Sequence, residues 1–138
     1  MFTTNAISAS ALSAYRTRMD TIANNMANSM TTRDAAGNPA PYRRRIALFS
    51  VGADGLPSGS GVHVSQIIQD PAPPRKVYDP GHPDAVKTGP DAGYVSYPNV
   101  SPEVEMVDMI AATRAYQANV AAYEAGKSII ASALRLLA

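Results

Sequence analysis

The chain has 138 residues, room for one modest domain, and its net charge of +1 and pI near 8 point to no strongly basic or acidic partner. It has no cysteine, which excludes disulfides and thiolate chemistry, and with no tryptophan and two phenylalanines it cannot build a dense aromatic core. No run nears the roughly 18 apolar residues of a membrane-spanning helix, so no direct membrane span is expected.

Proline and glycine divide the chain. All eleven prolines lie between Pro39 and Pro102, and eight of the nine glycines between Gly37 and Gly93. A breaker-rich middle thus separates two ends that can be helical. The expected segments are 1–30, 31–100 and 101–138.

The start does not read as a secretory signal. Its first positive charge is Arg16, and Thr3, Thr4, Asn5, Ser8, Ser10 and Ser13 interrupt any apolar core. Residues 5–28 read as a helix, with Asn5 or Thr4 as cap. Leu12, Tyr15, Met19, Ile22 and Met26 recur at three–four steps, a heptad seam. Asn24, Asn25 and Asn28 follow. Asparagine favours caps and turns, so they read either as a fraying helix end or as amides that reach a neighbouring chain's backbone.

Residues 31–41 read as a linker with a turn at Asp34–Pro39. Tyr42–Val51 and Val62–Gln69 carry strand composition and form a hairpin around the glycine-rich loop Gly52–Gly61, which holds Asp54-Gly55. Lys76–Tyr78 and Tyr94–Tyr97 are short extended pieces in a proline-punctuated stretch.

The third segment begins with Ser101 as N-cap, Pro102 at the first helical position, and Glu103 and Glu105 facing the N-terminal dipole. A helix from there to the end runs about 54 Å. Met106, Met109, Thr113, Tyr116, Val120, Tyr123, Lys127, Ile130, Leu134 and Leu137 form a second heptad seam, with Thr113 and Lys127 imperfect. A seam needs a partner helix. Two such helices at the chain's ends pair most simply with each other; the alternative is two amphipathic helices lying separately on a core, of which the middle offers little. The expected class is α+β: long terminal helices pairing as an antiparallel coiled-coil hairpin, with a small β-hairpin-rich middle.

No chemistry emerges from the residues. Arg43-Arg44-Arg45 lacks the broad basic surface and stacking aromatics of nucleic-acid binding, and strand alternation sends Arg44 to the face opposite its neighbours. Asp79, His82 and Asp84 could ligate a metal, yet Asp79-Pro80-Gly81 and His82-Pro83-Asp84 are ordinary turn chemistry. No phosphate loop, dinucleotide fingerprint or nucleophile elbow is present. The reading is an assembly or interaction protein without catalytic, cofactor or metal residues. A monomeric binding module, its helices presenting the β-hairpin, is the alternative.

Two motifs together resemble the flagellar rod and hook axial protein family. Residues 22–31, Ile-Ala-Asn-Asn-Met-Ala-Asn-Ser-Met-Thr, are similar to its N-terminal signature. Pro98-Asn99-Val100, then Glu105-Met106-Val107-Asp108-Met109-Ile110 and Arg114-Ala115-Tyr116-Gln117-Ala118-Asn119, resemble its C-terminal one. Residues 75–85 resemble the middle of the family's proximal rod members, and the length suits them, since distal rod and hook proteins carry larger inserted domains. Val86–Ala92 and the Gly52–Gly61 loop depart from the pattern.

The resemblance implies a structural subunit that polymerises helically into the proximal rod, crosses the periplasm and passes torque from motor to hook. It implies export by the flagellar type III apparatus, and as partners other copies, other rod proteins and the surrounding rings. It places the helical hairpin toward the channel and the β-rich middle outside. Asn24, Asn25, Asn28, Glu105, Met106, Arg114, Tyr116 and Asn119 then read as an assembly motif. Small residues such as Ala111, Ala112, Ala115, Ala118, Ala121 and Ala122 let helices approach closely, and Gly126 suits a crossing neighbour.

Overall fold

A computed structural model describes residues 2–53 and 59–137. The Asp54-Gly55 turn and the side chain of Leu137 lie outside what it describes. The order is α1 (Phe2–Ala27), β1 (Arg45–Val51), β2 (Val62–Gln69), β3 (Arg75–Tyr78), β4 (Tyr94–Tyr97) and α2 (Pro102–Leu137). The strands form two antiparallel two-stranded sheets, β1–β2 and β3–β4, so the class is α+β.

Helix α2 starts where its cap chemistry points. Glu105 N–H donates to Ser101 C=O at 3.0 Å, the first helical bond. The Ser101 hydroxyl donates instead to Glu103 Oε2 at 2.7 Å and, as the main cause, holds the Glu103 carboxyl below its ordinary pKa. Helix α1 begins at Phe2, so Asn5 sits inside its first turns rather than capping it.

The hairpin β1–β2 carries a bulge. Leu48 pairs with Gln66 and Phe49 with Val64, which leaves Ser65 as the extra residue. This re-aims Phe49, whose ring meets Tyr15 of α1 edge-to-face at 5.3 Å. Arg18 lies over the same Phe49 ring, and Val62 N–H donates to Ser10 Oγ at 3.1 Å. The hairpin therefore does give α1 something to lie on, contrary to the sequence expectation. A bulge cannot be read from alternation alone, which is why this packing was not visible.

In the second sheet Val95, paired with Val77 of β3, is fully buried, and Pro98 and Val100 just after β4 are buried too. Gly93 has φ +82°, and a Cβ there would stand 2.6 Å from the Tyr78 ring, which packs on Tyr94. That position takes glycine for both reasons.

Contacts along α1 and α2 run in opposite directions. Asn25 reaches Glu105, Thr113 Oγ1 lies 3.7 Å from Met19 Sδ, and Asn5 lies against Gly126. The residues most deeply buried on these helices include small ones: Ala11, Ala14 and Ala112. A Cβ at Gly126 would overlap Asn5 Oδ1, so this glycine serves a crossing within the chain itself.

Candidate functional site

The chain's polar centre is built where α1 ends, β1 begins and α2 starts. Asn25 is 1% exposed and Glu105 fully buried. Asn25 Nδ2 donates to Arg45 C=O at 2.8 Å and to Glu105 Oε2 at 3.1 Å. Its Oδ1 accepts from Tyr42 O–H at 2.9 Å and from Arg45 N–H at 2.9 Å. A side-chain amide has two donor hydrogens and two acceptor lone pairs, and here all are used.

Glu105 is buried as a charge and must be paired. Arg44 Nε donates to its Oε1 at 2.6 Å. The same guanidinium lies 3.6 Å from Asp70 at the end of β2 and 3.6 Å from Asp108 one turn along α2. Burial opposes the charge on Arg44, but the Glu105 hydrogen bond and the three carboxylates outweigh it and push its pKa up. Burial, foremost, also raises the pKa of the Tyr42 phenol; Arg45 opposes this and Glu105 adds to it. The result is a clamp joining three distant segments. The adjoining cavity, about 160 Å³, is smaller than the roughly 300 Å³ at which small-molecule pockets begin.

A second pin ties the 31–41 linker to the proline-rich loop. Asp84, its side chain 4% exposed, pairs with Arg33 at 2.5 Å and accepts from Thr32 Oγ1 at 2.8 Å. The Arg33 hydrogen bond first, then Thr32, hold its carboxyl below the ordinary range. His82 Nδ1 accepts from Asp84 N–H at 3.1 Å, and its ring packs on Tyr97. Asp84 is thus spent on structure, and no group of three metal-ligating residues forms among the described ones.

This arrangement joins the two ends of the chain, and the comparisons with known proteins match both ends. The family model for flagella basal body rod proteins matches residues 6–33, which contain Asn25. The model for the C-terminal part of flagellar basal body rod FlgEFG proteins matches residues 91–136, which contain Glu105. Across nearly its whole length the chain is similar to proteins named flagellar basal-body rod protein FlgC. Identity is 39% to that of Borreliella burgdorferi, over 99% of this chain and 97% of the relative. It is 40% to that of Bacillus subtilis (94% and 93%) and 44% to that of Yersinia enterocolitica (94% and 92%). The chain belongs to the FlgC family of flagellar basal-body rod proteins. Those relatives are named as rod proteins.

Within this FlgC-family chain the three asparagines do different things. Asn24 Nδ2 donates to Asp20 C=O and Asn28 Nδ2 to Asn24 C=O, at 2.8 and 2.9 Å, each bonding back to the carbonyl four residues earlier in the last turns of α1. Asn25 alone reaches across the fold. Within this chain the Asn25 amide is fully occupied, both hydrogens donated and both lone pairs accepting.

Among the other assembly-motif residues, Tyr116 and Asn119 are half-buried, Asn119 donating to Ala115 C=O at 2.8 Å, while Arg114 and Met106 are exposed. Of the seam residues, Ile22 is buried, and Leu12, Tyr15, Met19, Met26, Met109, Tyr116, Val120 and Ile130 are half-buried. Tyr123 and Leu134 are exposed, Leu134 by 62%. One neighbouring helix covers one stripe, and Leu134 lies about two turns beyond Gly126, where α2 meets Asn5 near the start of α1.

Sequence reading missed Tyr42 and Arg44 as partners of the motif. The alternation that turns Arg44 away from Arg43 and Arg45 was the available signal. Nothing local identifies Glu105, 80 residues from Asn25, as its target.

Proposed function

We propose that this chain is a structural subunit of the flagellar basal-body rod, acting through packing and without catalysis. The observation that carries the reading is the uncovered face of α2. Val104, Val107 and Ala111, then Ala118, Ala122, Ala125 and Ile129, recur at three- and four-residue steps on either side of Arg114, and all are exposed, Val107 by 65%. A 36-residue helix with one face on its own chain and another apolar face open is built for further helices.

On this reading α1 and α2 form a coiled-coil-like hairpin turned toward the rod channel, and neighbouring copies cover the open face. A heterologous contact that does not close gives a helical filament, as the proximal rod crossing the periplasm requires. Many stiff lateral contacts then carry torque from motor to hook. Other rod proteins, the surrounding rings and the type III export apparatus are the further partners.

The test separates packing inside the chain from packing between chains. Leu134→Asp should leave the thermal midpoint of the free protein unchanged within about 2 °C, because Leu134 is exposed there. In cells it should abolish rods, since burying an unpaired charge between subunits is costly. Normal swimming with intact rods would overturn the proposal.

A further inference from the structure

Only the middle arginine of Arg43-Arg44-Arg45 is absorbed by the clamp. Arg43 and Arg45 are exposed and make no ion pair among the described residues. Both line an open groove of about 590 Å³ beside Tyr42, walled also by Asn28, Arg33 and Gln69. Asp34 is the one carboxylate on its wall, and it already accepts from the N–H groups of Ala36 and Asn38 and from Asn38 Nδ2. Arg33 is already paired with Asp84. Two unspent guanidinium groups remain.

Arg45 is also held in place. Arg45 lies over the Tyr42 ring at 5.8 Å, and the Tyr42 hydroxyl and the Arg45 backbone are fixed by Asn25. A cation held against a rigid wall loses less freedom on binding. Arg44 C=O accepts from Asp70 N–H at 2.8 Å, which continues the β1–β2 ladder, so Arg43 and Arg45 leave the chain on one side with roots about 6–7 Å apart. Carboxylates at i and i+2 of an extended segment, or at i and i+4 of a helix, match that spacing.

We propose that this groove is a docking surface for an acidic segment of a neighbouring protein, gripped by Arg43 and Arg45 through two carboxylates. The partner is not a second copy. Of the chain's eleven acidic residues, the only ones within four positions of each other are Glu103, Glu105 and Asp108. Glu105 is buried and held by Arg44, and Asp108 lies 3.6 Å from the same guanidinium. That the neighbour is another basal-body protein rests on the rod-subunit reading; the binding itself does not, so the two fail separately.

The test uses the purified full chain and a hexaglutamate peptide, with phosphatidylglycerol vesicles and inorganic phosphate as parallel probes. Hexaglutamate should bind, more weakly as salt rises, and the R43Q/R45Q variant should bind at least tenfold more weakly while Arg16→Gln binds as the natural chain does. Arg43→Gln alone, whose side chain makes no recorded bond, should weaken binding at least threefold and serves if the double variant melts early. The proposal is overturned if hexaglutamate does not bind, if these variants bind unchanged, if Arg16→Gln weakens binding equally, or if only vesicles or phosphate bind.

Discussion

Asn25 and Glu105, 80 residues apart in sequence, share a 3.1 Å hydrogen bond that closes the two ends of the chain on each other. Neither side chain sees solvent. Removing the amide strands the Glu105 oxygen, the Tyr42 hydroxyl and both Arg45 backbone groups. Each unsatisfied buried group costs roughly 1–3 kcal/mol, part of it recovered by relaxation. Asn25→Ala should therefore destabilise the free protein by about 3 kcal/mol in urea unfolding, although alanine is the better helix former. Asn25→Asp should be worse at neutral pH, because it sets a second carboxylate against Glu105. An alanine variant as stable as the natural chain would mean that the bond is unimportant.

The Arg44 clamp depends on shape as well as charge. One planar fork meets Glu105 while its other nitrogens face Asp70 and Asp108. Lysine is a point charge and cannot span these partners. Arg44→Lys should cost about 1–2 kcal/mol, with the start of α2 loosening first. Hydrogen exchange at residues 103–108 is the measurement, and unchanged protection there would show that charge alone suffices.

The Asp84 pin gives a pH dependence with a definite sign. Its folded pKa lies below the ordinary value of about 3.9, through Arg33 and Thr32. Between the folded and unfolded values the unfolded chain binds more protons, so stability falls as pH falls through that window. The advantage of the natural chain over Asp84→Asn should be complete at pH 7 and shrink steadily below about pH 4. Urea midpoints for both proteins at pH 7 and pH 3 decide it; a difference independent of pH would assign the effect to something other than the ion pair.

Gly126 and Asn5 should be coupled. Alanine at an interior helix position is favoured over glycine by about 1 kcal/mol. Here its Cβ meets Asn5 Oδ1, a buried oxygen without a recorded partner. Gly126→Ala should thus gain little alone but about 1 kcal/mol in the Asn5→Ala background. A double-mutant cycle measures the difference, and strict additivity would show that the crossing has slack.

What could be read in advance follows from how local each signal is. Ser101-Pro102, the breaker-free run after it, and the strands Val62–Gln69 and Tyr94–Tyr97 depend on neighbours in sequence, and they stand where expected. The asparagines were legible as a motif, but their division of labour was not. Asn24 and Asn28 obey the local rule for helix ends, whereas Asn25 is decided by Tyr42, Arg44 and Glu105, which only the fold brings together. The heptad stripes mark apolar spacing without saying who covers it. Tyr15 meets Phe49 of the hairpin because of a bulge, and Leu134 is left largely exposed.

That uneven cover sets the order in which α2 should gain stability. Near its start, Glu105 and Ala112 are buried and Met109 and Thr113 half-buried. Over residues 121–135, residues 121–125, 127–129, 131–132 and 134–135 are exposed, and Gly126, Ile130 and Ala133 are partly covered. Ordering a residue's backbone costs roughly 1–2 kcal/mol, and there is little apolar burial there to offset it. Dilute free protein should therefore exchange its amides slowly over about residues 103–116 and quickly beyond 121, the two halves differing by at least a hundredfold. Packing against neighbouring chains should erase that gradient, since the open face is then covered and folding of the far half is coupled to assembly. Protease should clip the free chain after Lys127 or Arg135 before it touches the sheets. Uniformly slow exchange to Arg135 in the monomer would show that α2 is stable on its own and that assembly orders nothing.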